Sequence, residues 1–298
     1  MNTVKPWLKA FRLRTLPLAL SCIAMGGILA ASSGAFQWNI FLFSIVTTIF
    51  LQILSNLAND YGDSIHGADS ADRKGPSRAV QSGAISPGQM KTAIIIFVLL
   101  CLASGVSLLL ISFGMNWNAI FFFFGLGVLS ILAAIAYTVG KKPYGYAGLG
   151  DFSVLIFFGL IGVMGSNYLF TKQLNWMLVL PAMSCGFFSM GVLNINNIRD
   201  IESDRKAGKF SIPVRIGRES AVTYHWLLLA AGMLGALIYA LVTYRSPLQL
   251  LFLLSFPFFI VNGLSVQRKS SEQLDPYLKQ LALSTLLFVV LFGLGHLL

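Results

Sequence analysis

Few side chains in this 298-residue protein carry charge: Asp, Glu, Lys and Arg together make 11%, against 56% hydrophobic residues. That balance excludes an ordinary soluble domain. Cysteine is scarce as well. The three present, Cys22, Cys101 and Cys185, all lie inside apolar runs. An odd number of buried thiols supports no disulfide framework and no zinc-ligand spacing, so they read as small packing residues. The alternating pattern of a barrel strand is absent, which leaves helices as the way to satisfy the backbone in lipid. No Lys/Arg-rich tract with interleaved aromatics occurs, so the net charge of +10 does not point to nucleic acid. No convincing processing site follows the apolar run that begins at Leu16, so a cleavable signal peptide is not expected.

What is present is a series of apolar runs of membrane-spanning length. They predict an all-α polytopic membrane protein of about nine transmembrane helices around a central cavity. The expected spans are 16–35, 38–58, 92–112, 117–137, 152–171, 176–196, 222–243, 247–265 and 278–297. Short and long connections alternate between them. Of the 21 basic residues, all except Lys172 and Arg245 fall on one side of this arrangement. The positive-inside rule makes that side cytoplasmic and places the N-terminus there.

All 11 acidic residues fall on the same side. Carboxylates contribute little to topology, so their clustering needs another cause. The second span ends in Asn56, Asn59, Asp60 and Asp63, one face of a helix if the helix continues. Asp69 and Asp72 follow in the loop. The sixth span ends in Asn196, Asp200 and Asp204, spaced four apart, with Asn197 beside them. Four spans separate Asp60 from Asp200. This is compatible with a pseudo-repeat of spans 1–4 and 5–8 within a single domain covering residues 1–298.

Like charges at helical spacing repel, and the cost grows near the membrane, so a cation is expected between them. Carboxylate and amide oxygens suit Mg²⁺ or Ca²⁺, and Mg²⁺ commonly completes its shell with phosphate oxygens. Arg78, Arg199, Arg205, Lys206 and Lys209 flank the clusters and fit a diphosphate. Two same-face clusters at equivalent helix ends are poorly explained as solvated helix termini.

At this point the residues resemble a known family. Asn59-Asp60-x-x-Asp63, with Gly67 and Asp69 beyond, is similar to the first acidic motif of the UbiA superfamily of intramembrane prenyltransferases. Asp200-x-x-x-Asp204 is similar to the second. Gly75-Pro76-Ser77-Arg78, Gln81-Ser82-Gly83-Ala84-Ile85-Ser86-Pro87, Asn196-Asn197-Ile198-Arg199-Asp200 and Val214-Arg215-Ile216-Gly217 resemble the branch acting on 1,4-dihydroxy-2-naphthoate. Arg14-Thr15-Leu16-Pro17 resembles that branch's N-terminal segment, which often has proline where Leu13 stands. The resemblance implies transfer from a polyprenyl diphosphate to 1,4-dihydroxy-2-naphthoate in the lipid bilayer, giving demethylmenaquinone with loss of diphosphate and CO₂.

For that chemistry, Mg²⁺ and diphosphate would fall to Asn59, Asp60, Asp63, Asn196, Asp200 and Asp204, with Asn197 adjacent. Arg78, Lys209, Arg199 and Lys141 would contact the diphosphate. Tyr61, Tyr137 and Tyr146 are candidates to face an allylic cation, although each is equally an interfacial belt residue. Asp69 and Asp72 are candidates to deprotonate the acceptor. Gly145, Gly148 and Gly150 read as a turn before the fifth span, His66 as a surface residue. Other aromatic acceptors (4-hydroxybenzoate, homogentisate, haem) are alternatives within the class. A secondary transporter is the alternative outside it, disfavoured because the mid-span residues are nearly all apolar.

Overall fold

The computed structural model describes residues 4–66, 75 and 77–298. Among them are nine helical spans long and apolar enough to cross a bilayer. The first, Val4–Ser32, is broken at Arg12 (φ 48°) into a short helix α1 (Val4–Phe11) and the membrane helix α2 (Leu16–Ser32). There follow α3 (Trp38–Ile65), α4 (Pro87–Phe113), α5 (Trp117–Ala136), α6 (Gly150–Thr171) and α7 (Trp176–Arg199). The last are a short α8 (Ile201–Lys206), then α9 (Ile212–Val242), α10 (Pro247–Arg268) and α11 (Asp275–Leu297).

The spans occur in the expected number and order, but several run past their apolar stretch. A 28-residue α3 is about 42 Å long, some 12 Å more than a hydrocarbon core of about 30 Å. Its last two turns, Leu57 to Ile65, therefore stand at the polar face as helix and carry the first acidic motif. The α9 segment begins ten residues before the expected 222, at Ile212 with Pro213 in its first turn, and is broken at Gly217 (φ 78°), after which the membrane helix runs on from Arg218. The start of α4 is fixed by a capping box, in which Ser86 accepts from the Gln89 backbone N–H and Gln89 accepts from that of Ser86.

The helices ring a cavity, and the two sides of the ring differ. On one side α2, α6, α7, α9, α10 and α11 share the main apolar core. There Phe188 stacks on Phe259 at 4.1 Å between ring centroids, with Phe288 and Phe252 edge-on to neighbours. On the other side α3, α4 and α5 pack as a triplet with only small local clusters. Helices α5 and α6 meet through side chains, with Phe123 stacked on Tyr168 at 5.2 Å between ring centroids. From Leu155 to Gly165, α6 winds as a π-helix, a wide turn common beside functional sites, and this stretch lines the cavity.

Candidate active site

The cavity has a volume of about 460 Å³ and a graded wall. Its mouth carries Arg14, Asn56, Asn59, Asp63, Arg78, Asn196 and Lys209. Its interior is apolar, from Leu102 and Leu109 of α4, Phe123 and Ile131 of α5, and Phe157 and Ile161 of α6. The far end is closed by a cluster of Leu108, Leu109, Leu169 and Phe170. Behind it the Lys172 ammonium donates to Ser112 Oγ (2.6 Å) and to the Leu169 carbonyl. Burial lowers the Lys172 pKa to about 8.

The acidic residues of both motifs are buried near the mouth: Asn59, Asp63 and Asn196 line the cavity, Asp60 lines the adjoining pocket, and Asp200 and Asp204 lie off the wall, Asp204 3.5 Å from the lining Lys209. Asp60 is almost fully buried and accepts the backbone N–H groups of Ala79 (3.1 Å) and Val80 (3.2 Å). It thereby anchors the segment that presents Arg78. Asp63 pairs with Arg78 Nη2 at 2.8 Å and accepts from the Tyr146 hydroxyl at 3.0 Å. Asn59 Oδ1 accepts from Thr138 Oγ1 at 3.2 Å, a hydroxyl that also lies 3.0 Å from the Ala58 carbonyl. This contact needs glycine at Gly62: a Cβ there would fall 2.6 Å from the Thr138 carbonyl carbon.

In the second motif α7 ends at Arg199, and Asp200 begins the turn into α8. Asp204 is buried, with Lys209 Nζ at 3.5 Å from Oδ1 and no hydrogen-bond partner for Oδ2 among the described residues. Burial raises the Asp204 pKa to about 6, against the pull of Lys209 and with the repulsion of Asp200 and Asp63. Burial alone would lower the Lys209 pKa; Asp204 and Asp63 raise it overall. Lys209 therefore lies in the field of both motifs, and its ammonium stands 5.8 Å over the Tyr146 ring.

Tyr137 lines the cavity beside Lys209. Gly145 and Gly150 wrap it closely: a Cβ on Gly145 would lie 2.5 Å from the Tyr137 carbonyl, and one on Gly150 2.9 Å from its hydroxyl. The turn read in sequence thus exists to hold an aromatic ring. Burial lifts the Tyr137 pKa to about 12, so it remains a phenol at neutral pH.

Other expected residues fall elsewhere. Arg199 is turned away from the cavity, bonding Asp200 (2.9 and 2.6 Å), Asp275 (2.7 Å) and Asn196 (2.7 Å). Asn197 is buried off the cavity wall, its Oδ1 without a partner among the described residues. Tyr146 sits behind Asp63, Tyr61 lies beneath the Lys91 ammonium (5.5 Å), and Lys141 is exposed. His66 bridges the Gly62 and Gly140 carbonyls. Asp69 and Asp72 lie outside the described residues. Sequence reasoning passed over Thr138, Asp275 and, as a site residue, Arg14; the position of Arg14 just before the first span was the one available signal.

Residues 19–294 match the UbiA prenyltransferase family. The chain belongs to that family. It is 44% identical to the 1,4-dihydroxy-2-naphthoate octaprenyltransferase of Haemophilus influenzae over 98% of this chain and 96% of that one. It is 43% identical to the enzyme of the same name from Escherichia coli over 99% and 96%. In fold it resembles a UbiA homologue from Archaeoglobus fulgidus bound to GPP and Mg²⁺, with TM-score 0.67, 17% identity, and coverage of 98% and 99%. The nine spans and the UbiA family together make this a multi-pass membrane prenyltransferase.

A divalent cation fits the donor set here. The groups are hard oxygens, two buried carboxylates face a common lysine, and one buried carboxylate oxygen lacks a partner. Among the described residues no three His, Cys, Asp or Glu side chains converge on one point. Arg78, Lys209 and Arg199 instead balance the charge of Asp63, Asp204 and Asp200.

Proposed function

We propose that this protein transfers a polyprenyl group from polyprenyl diphosphate to 1,4-dihydroxy-2-naphthoate, in a Mg²⁺-dependent reaction. The observation that carries the reading is the placement of two opposed acidic motifs, with Arg78 and Lys209 between them, at the mouth of an apolar cavity. Full-length similarity to two enzymes named for this transfer supports the acceptor. The basic residues gather on the motif-bearing face, which supports a cytoplasmic active site and N-terminus.

The allylic C–O bond breaks and its electron pair leaves on diphosphate. The acceptor ring supplies the pair for the new C–C bond, and the carboxylate departs as CO₂. Transfer and decarboxylation move no net electrons, so demethylmenaquinone emerges in its quinol form. Asp63 and Asp204, with Asn59, Asp60, Asn196 and Asp200 adjacent, would hold Mg²⁺. When bound, Mg²⁺ neutralises the departing diphosphate.

The chain's own residues do the rest. Arg78 and Lys209 donate to diphosphate oxygens. The apolar wall takes the prenyl tail and excludes water from the allylic cation. Tyr137 offers the face of a neutral ring beside the mouth. As a phenol it does not compete with the acceptor as an anionic nucleophile.

A transporter would need a polar path across the bilayer. Here the charged residues of the cavity wall stop at its mouth, and the far end is closed by leucines and phenylalanine. The test is product formation by purified protein from both substrates, with and without Mg²⁺, for wild type, Asp63→Asn and Asp204→Asn. Mg²⁺-dependent product that is lost in both variants is expected. Undiminished product in either variant would overturn the site.

A further inference from the structure

Outside both motifs, one carboxylate ties the second motif to the cavity mouth. Asp275 opens α11, immediately before Pro276. Its Oδ1 accepts from Arg199 Nη1 at 2.7 Å and its Oδ2 from Arg14 Nη1 at 2.7 Å. Arg199 has a side chain only 1% exposed and spends its other donors on Asp200 and Asn196. Arg14 lies on the cavity wall and also lines an adjoining polar pocket of about 380 Å³ with Lys9, Arg12, Asp60 and Arg78. The series Arg14–Asp275–Arg199–Asp200 is thus two cations and two anions alternating, and it joins residues 261 positions apart in sequence.

We propose that Asp275 is a positioning residue for the second acidic motif. It shares the charge of Arg199, so that Asp200 is not that buried guanidinium's sole counter-ion and keeps capacity for a metal ion. At the same time it holds Arg14 at the mouth. The inference rests on the prenyltransferase reading of this site. A buried arginine deprived of one acceptor takes more from those that remain. Removing Asp275 therefore draws Asp200 toward Arg199, leaves an excess positive charge beside the motif, and releases Arg14. An asparagine keeps the size but presents an amide N–H₂ to one of the two guanidiniums.

The experiment is a thermal-shift titration of the full-length protein in detergent, with inorganic diphosphate at fixed concentration and Mg²⁺ varied. It compares wild type, Asp275→Asn, Asp275→Glu and Gln280→Leu. The last removes a half-buried polar contact elsewhere on α11, to Ser284 and the Phe258 carbonyl, and reports on helix docking alone. The half-effective Mg²⁺ concentration should rise about tenfold in Asp275→Asn, the scale of lost outer partners of metal ligands. It should return most of the way in Asp275→Glu and stay at the wild-type value in Gln280→Leu, even where that variant melts earlier. An unchanged half-point in Asp275→Asn, or an equal rise in Gln280→Leu, overturns the proposal. A wild-type protein with no Mg²⁺- and diphosphate-dependent shift overturns the prenyltransferase reading itself, and the proposal falls with it.

Discussion

Lys209→Met is the most informative single change, because Lys209 acts on both motifs. The substitution nearly preserves volume and removes the charge. At 3.5 Å and an effective dielectric of about 20, the Lys209–Asp204 attraction is about 5 kcal/mol. Removing one partner of a buried pair leaves the other charge uncompensated, so the loss of stability should be about 3–5 kcal/mol where Asp204 stays ionised, and less where it takes up a proton. The larger effect is on protonation. Asp204 already sits near pKa 6 with Lys209 in place. Losing half of the attraction raises it past neutrality, at about 1.4 kcal/mol per pH unit.

The sign follows. A carboxyl whose folded pKa exceeds its ordinary 3.8 favours the fold most below that value, and loses this contribution as pH rises through 6. Metal binding needs the ionised form, so it runs the other way. Wild type should lose Mg²⁺ affinity below about pH 6, roughly tenfold per pH unit for one competing proton. The variant should lose it already at pH 6.5, yet bind Mg²⁺ at pH 8.5 at least as tightly as wild type, since one repelling cation is gone. At pH 8.5 and saturating Mg²⁺ its kcat should still fall about 100-fold, for want of a donor to the leaving group. Mg²⁺ titrations of initial rate at both pH values provide the assay. Identical Mg²⁺ half-points for variant and wild type at pH 6.5 would refute the reasoning.

Further consequences follow from single contacts. Asp60→Asn can satisfy only one of the two backbone N–H groups that Asp60 accepts; it should cost about 1–3 kcal/mol in a denaturation series and displace Arg78, raising the donor KM. Gly62→Ala sets a Cβ against the Thr138 backbone, so it should cut kcat/KM at least tenfold, and Thr138→Gly should fail to rescue it. Phe188→Ala lies in the main core; it should lower stability by about 3–5 kcal/mol while leaving the KM values of the folded enzyme near wild type.

Much of this architecture is legible in the sequence, for identifiable reasons. Apolar length sets the number of spans, and Pro87, Pro213 and the Ser86–Gln89 capping box mark helix starts. What apolarity does not show is where helices continue into polar territory. The last turns of α3 look like loop by hydropathy, yet they keep their hydrogen bonds and present the motif. The acidic motifs themselves are visible as carboxylates at helical spacing. Their partners are not, because they are tertiary: Asp60 meets a backbone segment nearly twenty residues on, and Arg199 meets Asp275 76 positions away. Arg199 reads in sequence as a phosphate ligand because its charge and location fit; only packing reveals that its donors are occupied. Asp275 reads as an ordinary acid in the first turn of a helix, which suits the helix dipole and draws no attention.

The reaction is tested by incubating purified protein with a polyprenyl diphosphate, Mg²⁺ and, separately, 1,4-dihydroxy-2-naphthoate or 4-hydroxybenzoate, with products resolved by mass. The expected product is a prenylated naphthoquinol lacking the carboxyl group, with CO₂ released in equal amount, and none from 4-hydroxybenzoate. Prenylated 4-hydroxybenzoate as the sole product would contradict the acceptor, and no prenylated product with either acceptor would contradict the reaction.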